Sequence, residues 1–191
     1  MSGIHRFCPW RTGICDRFAF LVAICLVALL GHPARAQDAS EYQVKAAFLC
    51  QFTKFVEWPS GAFADANSPF VIGVVGKDPF GAILERAIDG KSVDGRSFVI
   101  RRFSQVADVQ PCHLLFVCES DRDQVSRILA RLGHSNTLTV GDFDQFIQRG
   151  GTVNFFIEDS RVRFEINPDA ADSAGLKISS KLLHLARVVR P

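Results

Sequence analysis

The sequence predicts an α/β fold: a single domain with a mixed, mainly parallel sheet flanked by helices, closed by a C-terminal antiparallel hairpin and a terminal helix. Three observations carry this. The runs at 70–75 (Phe70, Val71, Ile72, Gly73, Val74, Val75) and 114–117 (Leu114, Leu115, Phe116, Val117) are wholly apolar, as strands buried on both faces of a parallel sheet are. Strand-like and helix-like stretches alternate from 70 to 149, the pattern of α/β proteins. Residues 161–166 then alternate Arg161, Val162, Arg163, Phe164, Glu165, Ile166. That period of two marks a strand with one face buried.

The first 36 residues read as an export signal that is removed. Arg6, Arg11 and Arg17 precede an apolar run of thirteen residues, 18–30, and Ala34-Arg35-Ala36 supplies a small-x-small cleavage site. The expected mature domain is 37–191, in the periplasm, with no insertion into the membrane after cleavage, since the apolar run is short for a span. The leader carries four of the 22 basic and one of the 20 acidic residues, so the mature chain has 18 and 19, a net charge of −1. The full chain's net charge of +2 is therefore no footprint for nucleic acid. The remaining 155 residues are enough for one core, and the 14 of the chain's 17 Phe that they hold, against one Trp and one Tyr, make that core Phe-rich.

In chain order, Ser40 with Gln43 three residues on forms a capping box for a helix running to about Val56. Val44, Phe48, Phe52 and Phe55 recur at helical spacing, either a face packed on a sheet or a partner groove. Trp58-Pro59 ends the helix, because proline disfavours helix in the residue before it. Strand 70–75 leads through Gly76, Lys77, Asp78 and Pro79 into a helix at 80–88. The helix start offers free N–H groups, but neither nucleotide-binding glycine motif is present and Pro79 removes a donor. A second strand is expected at 97–103, a third at 114–117, a helix at 124–132 stopped by Gly133, a fourth strand at 137–140, and a short helix at 143–149 ended by Gly150. The hairpin follows, with strands at 152–157 and 161–166 placed at a sheet edge, and a helix at 181–189 capped by Ser179 or Ser180.

The chemistry is sparse. His113, His134 and His184 stand at no metal-ligand spacing with Cys or each other. His113 reads as a satisfied strand residue, since its neighbour Cys112 points to the other face of a strand. No nucleophile elbow or Cys/His/Asn set is present, so no enzyme, cofactor or metal is expected. Lys77, Asp78 and Asp142 follow strands, where α/β proteins place ligand sites, and are candidate ligand-binding residues. Cys50, Cys112 and Cys118 remain after cleavage, an odd number that leaves at least one thiol free or paired between chains. If 113–118 is one strand, the Cα atoms of Cys112 and Cys118 lie about 20 Å apart at about 3.3 Å per residue. A disulfide needs about 7 Å or less, so a bridge would require a sharp bend. Cys50 and Cys118 read as buried apolar residues.

Several pieces resemble the YfiR family of periplasmic regulators. They are Ala46-Ala47-Phe48-Leu49 through Phe55-Val56-Glu57-Trp58-Pro59; Ile72-Gly73 to Gly76 with Pro79-Phe80-Gly81; and Cys112-His113-Leu114-Leu115-Phe116-Val117. The tail adds Gly150-Gly151, Arg163-Phe164-Glu165-Ile166-Asn167 and Leu176-Lys177-Ile178-Ser179-Ser180-Lys181-Leu182-Leu183. The resemblance implies a non-enzymatic protein, typically a homodimer, that binds an inner-membrane signalling protein, in the best-understood members a diguanylate cyclase. It holds that partner inactive and lowers cyclic-di-GMP and biofilm formation. It also implies redox control through cysteines, for which Cys50, Cys112 and Cys118 are the candidates. The outward face of the second hairpin strand, Arg161, Arg163 and Glu165, is the candidate partner surface, with Lys54 and Glu57 on the first helix as the alternative. The competing reading is a small-ligand sensor using the strand ends at Lys77, Asp78 and Asp142.

Overall fold

Strand β2 (Phe70–Val75) is the middle of the structure, buried at every residue, and the other strands are placed by their pairing to it. The computed structural model describes residues 33–133 and 135–191. The basic and apolar parts of the expected leader and His134 lie outside the described residues. In chain order the elements are α1 (Pro33–Phe55), β1 (Val56–Glu57), β2, α2 (Ala82–Ile88), β3 (Ser92–Val93), β4 (Arg96–Phe103), β5 (Leu114–Val117) and α3 (Val125–Leu132). They continue with β6 (Leu138–Gly141), β7 (Val153–Glu158), β8 (Arg161–Ile166), α4 (Pro168–Ser173), β9 (Lys177–Ile178), α5 (Ser180–Leu185) and β10 (Arg187–Val188).

The main sheet has eight strands in the order β10-β8-β7-β6-β5-β2-β4-β3. The pairs β2–β4, β2–β5, β5–β6 and β6–β7 are parallel, and β7–β8 is antiparallel. The fold is thus the mixed, mainly parallel α/β domain that the apolar runs predict. The five parallel strands form a doubly wound arrangement whose order reverses between β2 and β5. Such folds open a crevice outside the carboxyl ends of the strands at that point.

The two faces of the sheet are covered unequally. On one face, Leu49 and Phe52 of α1, Leu84 of α2 and Leu182 of α5 share a core with Phe70, Ile72, Leu114, Phe116, Phe155 and Phe164. On the other, α3 alone brings Val125 and Ile128 onto Val71, Val75, Leu115 and Val117, with Phe143 and Phe146 from the loop after β6. This division follows from alternation: within β2, odd and even residues serve different cores.

Five local expectations are corrected. The first helix does not begin at a Ser40 cap but upstream at Pro33, so the capping-box residues are interior. Its buried positions include Lys45, Ala46, Leu49, Phe52 and Thr53, while Val44 is exposed. Residues 143–149 form turns, not a helix. Gln145 takes a left-handed φ of 66° there, and the Phe146 ring lies where a β-carbon on Gly151 would sit. Burying that ring against glycine wins over helical hydrogen bonding. Strand 96–103 is preceded by a short antiparallel partner, Ser92–Val93, across an Asp94-Gly95 turn. Finally, the last helix stops at Leu185 rather than Val189, and Arg187–Val188 pairs parallel with β8. The hairpin is therefore one strand in from the edge.

The hairpin itself is tight. Asp159 and Ser160, with φ of 49° and 59°, form a two-residue turn of the left-handed kind that suits strand twist. Val153 to Glu158 pair with Ile166 to Arg161 without a break. After it, Asn167 caps α4 by accepting from the Ala170 N–H at 3.1 Å, with Pro168 in the first turn. Ser179 caps α5 by accepting from the Leu182 N–H. The tail is tied to α1 through β9, which pairs with β1 at Val56–Ile178 and Glu57–Lys177.

Candidate functional site

The crevice at the reversal between β2 and β5 is closed by the chain's own side chains. Gly76 ends β2 at φ 99°, a conformation that favours glycine, and a β-carbon there would overlap the Asp121 carboxylate. The approach lets the Lys77 N–H donate to Ser120 Oγ at 2.9 Å, and Ser120 Oγ donate to Asp121 Oδ2 at 2.8 Å. Asp78 accepts from the Phe80 N–H at 2.8 Å and from Arg102 Nε at 2.7 Å. Arg102 also pairs with Glu85 at 2.7 Å; that bond holds the Glu85 carboxyl below its usual range. The Lys77 side chain is exposed.

Asp142, at the carboxyl end of β6, is reached by α1. Its Oδ2 accepts from Lys45 Nζ at 2.8 Å and from Tyr42 Oη at 3.0 Å. Lys45 and Asp142 have side chains only 4% and 5% exposed, and Glu41 adds a second carboxylate to Lys45 at 2.6 Å. Burial, followed by the Asp142 charge, pushes the Tyr42 hydroxyl well above its ordinary value. A buried ion of one sign is costly unless paired, so Lys45 and Asp142 hold each other in place. Sequence reasoning missed Lys45. Its only signal was a lysine inside the apolar surroundings of the first helix, one residue away from the aromatic stripe.

The three sequence candidates for ligand binding are thus near one pole but differently occupied. Asp78 and Asp142 already accept from protein donors, and Lys77 faces solvent. Between them lies Cys118, whose thiol is pushed up to about 12 by burial and then by Asp78, Asp142 and Asp121.

Cys50, Cys112 and Cys118 are all free and buried. Cys112 and Cys118 belong to the cores on opposite faces of the sheet. Burial raises the Cys112 thiol to about 12 and raises Cys50 as well. Thiolate is the reactive form, so burial suppresses the nucleophilicity of each. Among the described residues no group of three or more His, Cys, Asp or Glu side chains is placed to hold a metal ion.

His113 is a packed residue. Its Nδ1 accepts from the Val71 N–H at 2.9 Å and its Nε2 lies 3.0 Å from the Ala62 carbonyl. These two bonds require the neutral Nε2–H tautomer. The ring stacks on Phe63 at 4.2 Å, and burial lowers its pKa. His184 is exposed on α5.

The outward side of the hairpin is different again. Phe156 of β7 is half-buried, and the Arg187 guanidinium lies over its ring at 4.2 Å. Glu158 receives Arg187 at 2.8 Å and Arg163 at 3.9 Å. Glu165 accepts from Asn154 Nδ2 at 3.1 Å, while the buried Asn154 Oδ1 has no partner among the described residues. Arg161 and Arg163 are exposed. On the same strand Phe164 is 4% exposed, packed 5.3 Å from Phe48 and 5.1 Å from Phe52.

Fold and site together define a doubly wound α/β domain whose strand-end crevice is tied shut and whose charged hairpin face is open. The chain belongs to the YfiR/HmsC-like family, whose family model matches residues 42–187. That family is regulatory rather than catalytic, and the match supports a periplasmic regulator connected with cyclic-di-GMP signalling. Among curated proteins none matches the chain. Two solved structures are similar to it. One is a conserved domain protein from Vibrio cholerae O1 biovar eltor, with 14% identity, 62% of this chain and 54% of that chain covered, and a TM-score of 0.49. The other is an ABC domain in complex with L-Trp from Streptococcus pneumonia, with 12% identity, 78% and 60% covered, and a TM-score of 0.52. The chain spans between half and two thirds of the length of both; the second likeness supports the α/β fold alone. Among the described residues no helix is long and apolar enough to cross a membrane.

Proposed function

We propose that this protein binds the periplasmic part of an inner-membrane signalling protein, a diguanylate cyclase, and holds it inactive, so lowering cyclic-di-GMP. The family match is the general support. The observation that favours a docking role for the hairpin is its outward face, where Arg187 lies over the half-buried Phe156, Arg163 is the cross-strand partner of Phe156, and Arg161 is exposed opposite Glu158. Fixed charges around an aromatic centre suit an interface, because charge complementarity sets specificity and association rate while the aromatic supplies buried area. On this reading the exported chain starts at Gln37 and works as a homodimer, and Arg161, Arg163 and Glu165 contact the membrane partner or the second subunit.

The test is a pull-down from solubilised inner membranes with the tagged chain, coupled to cyclic-di-GMP measurement in cells lacking it. A cyclase in the captured fraction and a rise in cyclic-di-GMP on deletion support the reading. Capture of no membrane protein together with unchanged cyclic-di-GMP removes it. A second reading, a small-ligand sensor at the strand ends, is favoured by the exposed Lys77 amine next to the ordered Asp78 loop. In that case a ligand would protect the 76–81 backbone from hydrogen exchange.

A further inference from the structure

At the opposite pole from the closed crevice lies a cavity of about 400 Å³, between the end of α3, the starts of β6 and β7, and α4. That is near the small end of the roughly 300–1,000 Å³ range of ligand pockets. We propose that this cavity binds a neutral polyhydroxylated compound of monosaccharide size. The proposal is independent of the partner-binding reading above.

The polar groups that converge on the cavity select the ligand class. Asn167, 4% exposed, uses its Oδ1 to cap α4. Its amide nitrogen, in the cavity wall, donates to none of the described residues. Thr139 Oγ1 and Thr152 Oγ1 lie 3.1 Å apart, and Thr139 Oγ1 also accepts the Thr152 N–H at 3.0 Å. Two hydroxyl protons share that single O–O contact, so whichever threonine donates, the other keeps an O–H to offer. Thr137 Oγ1 donates to the Cys112 carbonyl at 2.6 Å, so Ser135 donates to Thr137 at 3.0 Å and retains lone pairs to accept. The site thus offers spare donors and spare acceptors together, as a hydroxyl group, which is both, requires.

Charge excludes the other classes. Among the described lining residues the one charged side chain is the Asp169 carboxylate at the rim. It is paired with Arg190 at 3.7 Å, so the rim offers neither an anion nor a cation an uncompensated opposite charge. An apolar ligand would strand the Asn167 and threonine donors without partners. Leu129 and Leu132, both half-buried, form one wall that suits the C–H face of a sugar ring.

The experiment is amide-resolved NMR titration of the purified chain with D-glucose, D-galactose and N-acetyl-D-glucosamine, alongside phosphate and butylamine. The expected result is that at least one neutral sugar shifts the amides of Thr139, Thr152, Asn167 and Ala170 and leaves Phe156 unmoved. Asn167→Asp keeps the cap oxygen but removes the donor; it should weaken binding about tenfold or more, the worth of roughly one hydrogen bond. Ser173→Phe, on the exposed rim, should block entry while melting like the parent, and it keeps the test intact if Asn167→Asp folds poorly. The proposal is overturned if no sugar moves those amides, if phosphate or butylamine moves them instead, or if Ser173→Phe binds sugar as the parent does.

Discussion

The two faces of the closing hairpin are built from the same twelve residues and behave as different materials. Inward, Phe155 and Phe164 are locked among Phe48 and Phe52, with ring centroids 5.1–6.0 Å apart. Outward, Arg163 and Glu158 are about half exposed and meet at 3.9 Å. Helix α1 lies on the first face, whereas on the second the Arg187 guanidinium lies over Phe156. The difference teaches that alternation in a strand assigns residues to faces, but a face acquires its energetic weight only from what is packed on it.

The comparison can be broken most forcefully from the inside. Phe164→Ala should cost about 3–5 kcal/mol, as large-to-small changes of a buried aromatic do, and should lower the melting temperature and cellular abundance together. A loss under about 1 kcal/mol in denaturant titration would mean that the aromatic cluster re-collapses. Asp142→Asn strikes the other contact of α1 and should cost about 3 kcal/mol, because Lys45 loses its buried carboxylate and keeps only the more exposed Glu41. Lys45→Met with Asp142→Leu together should recover most of that, since replacing both members by apolar residues removes the unpaired charge. An unrecovered double variant would show that Tyr42 or Glu41 matters more than the ion pair.

Acid sharpens the contrast. The His113 pKa is depressed below the ordinary 6.5, so the unfolded chain binds a proton there before the folded chain does. Stability from this residue is complete above about pH 6.5 and is lost as pH falls through the lower folded value. Melting temperature followed from about pH 7.5 down to about 5 should fall. His113→Asn, which keeps an acceptor for the Val71 N–H, should flatten that dependence while starting from a lower value. An unchanged slope in the variant would place the acid sensitivity elsewhere.

The smallest expected effect is on the outward face. Arg163→Glu should change stability by no more than about 0.5 kcal/mol, because its ion pair is exposed and such pairs contribute little. If this face docks as proposed, its effect should appear in dimerisation by sedimentation or in binding to the proposed membrane partner, where charge reversal is costly. A variant that melts, dimerises and binds like the parent would make this face solvent-facing only. Docking would then be sought around the exposed Lys54 and Glu57 of the first helix and β1.

Much of the fold was legible in the chain itself. The runs 70–75 and 114–117 became the all-buried β2 and β5 without a change of boundary, because six or four successive apolar residues have no other place than the middle of a two-sided sheet. The alternation at 161–166 also held, and of the two serines expected as cap, Ser179 and Ser180, the first is the one, since both features are local: a side chain's face and a hydroxyl's reach are decided within a few residues. The family resemblance rested in part on these same segments. What the tertiary structure alone decided were the places where a distant partner outweighs a local preference. Residues 143–149 have helical composition, yet Phe146 is drawn under Gly141 and Gly151 and the helix never forms. Arg187–Val188 follow a helix without a break signal, but β8 presents an unpaired edge and the chain turns to fill it. Lys45 is buried only because Asp142, 97 residues away, waits at the end of β6. Such pairings carry no trace in either segment read alone, because their free energy exists only once the sheet has brought the two together.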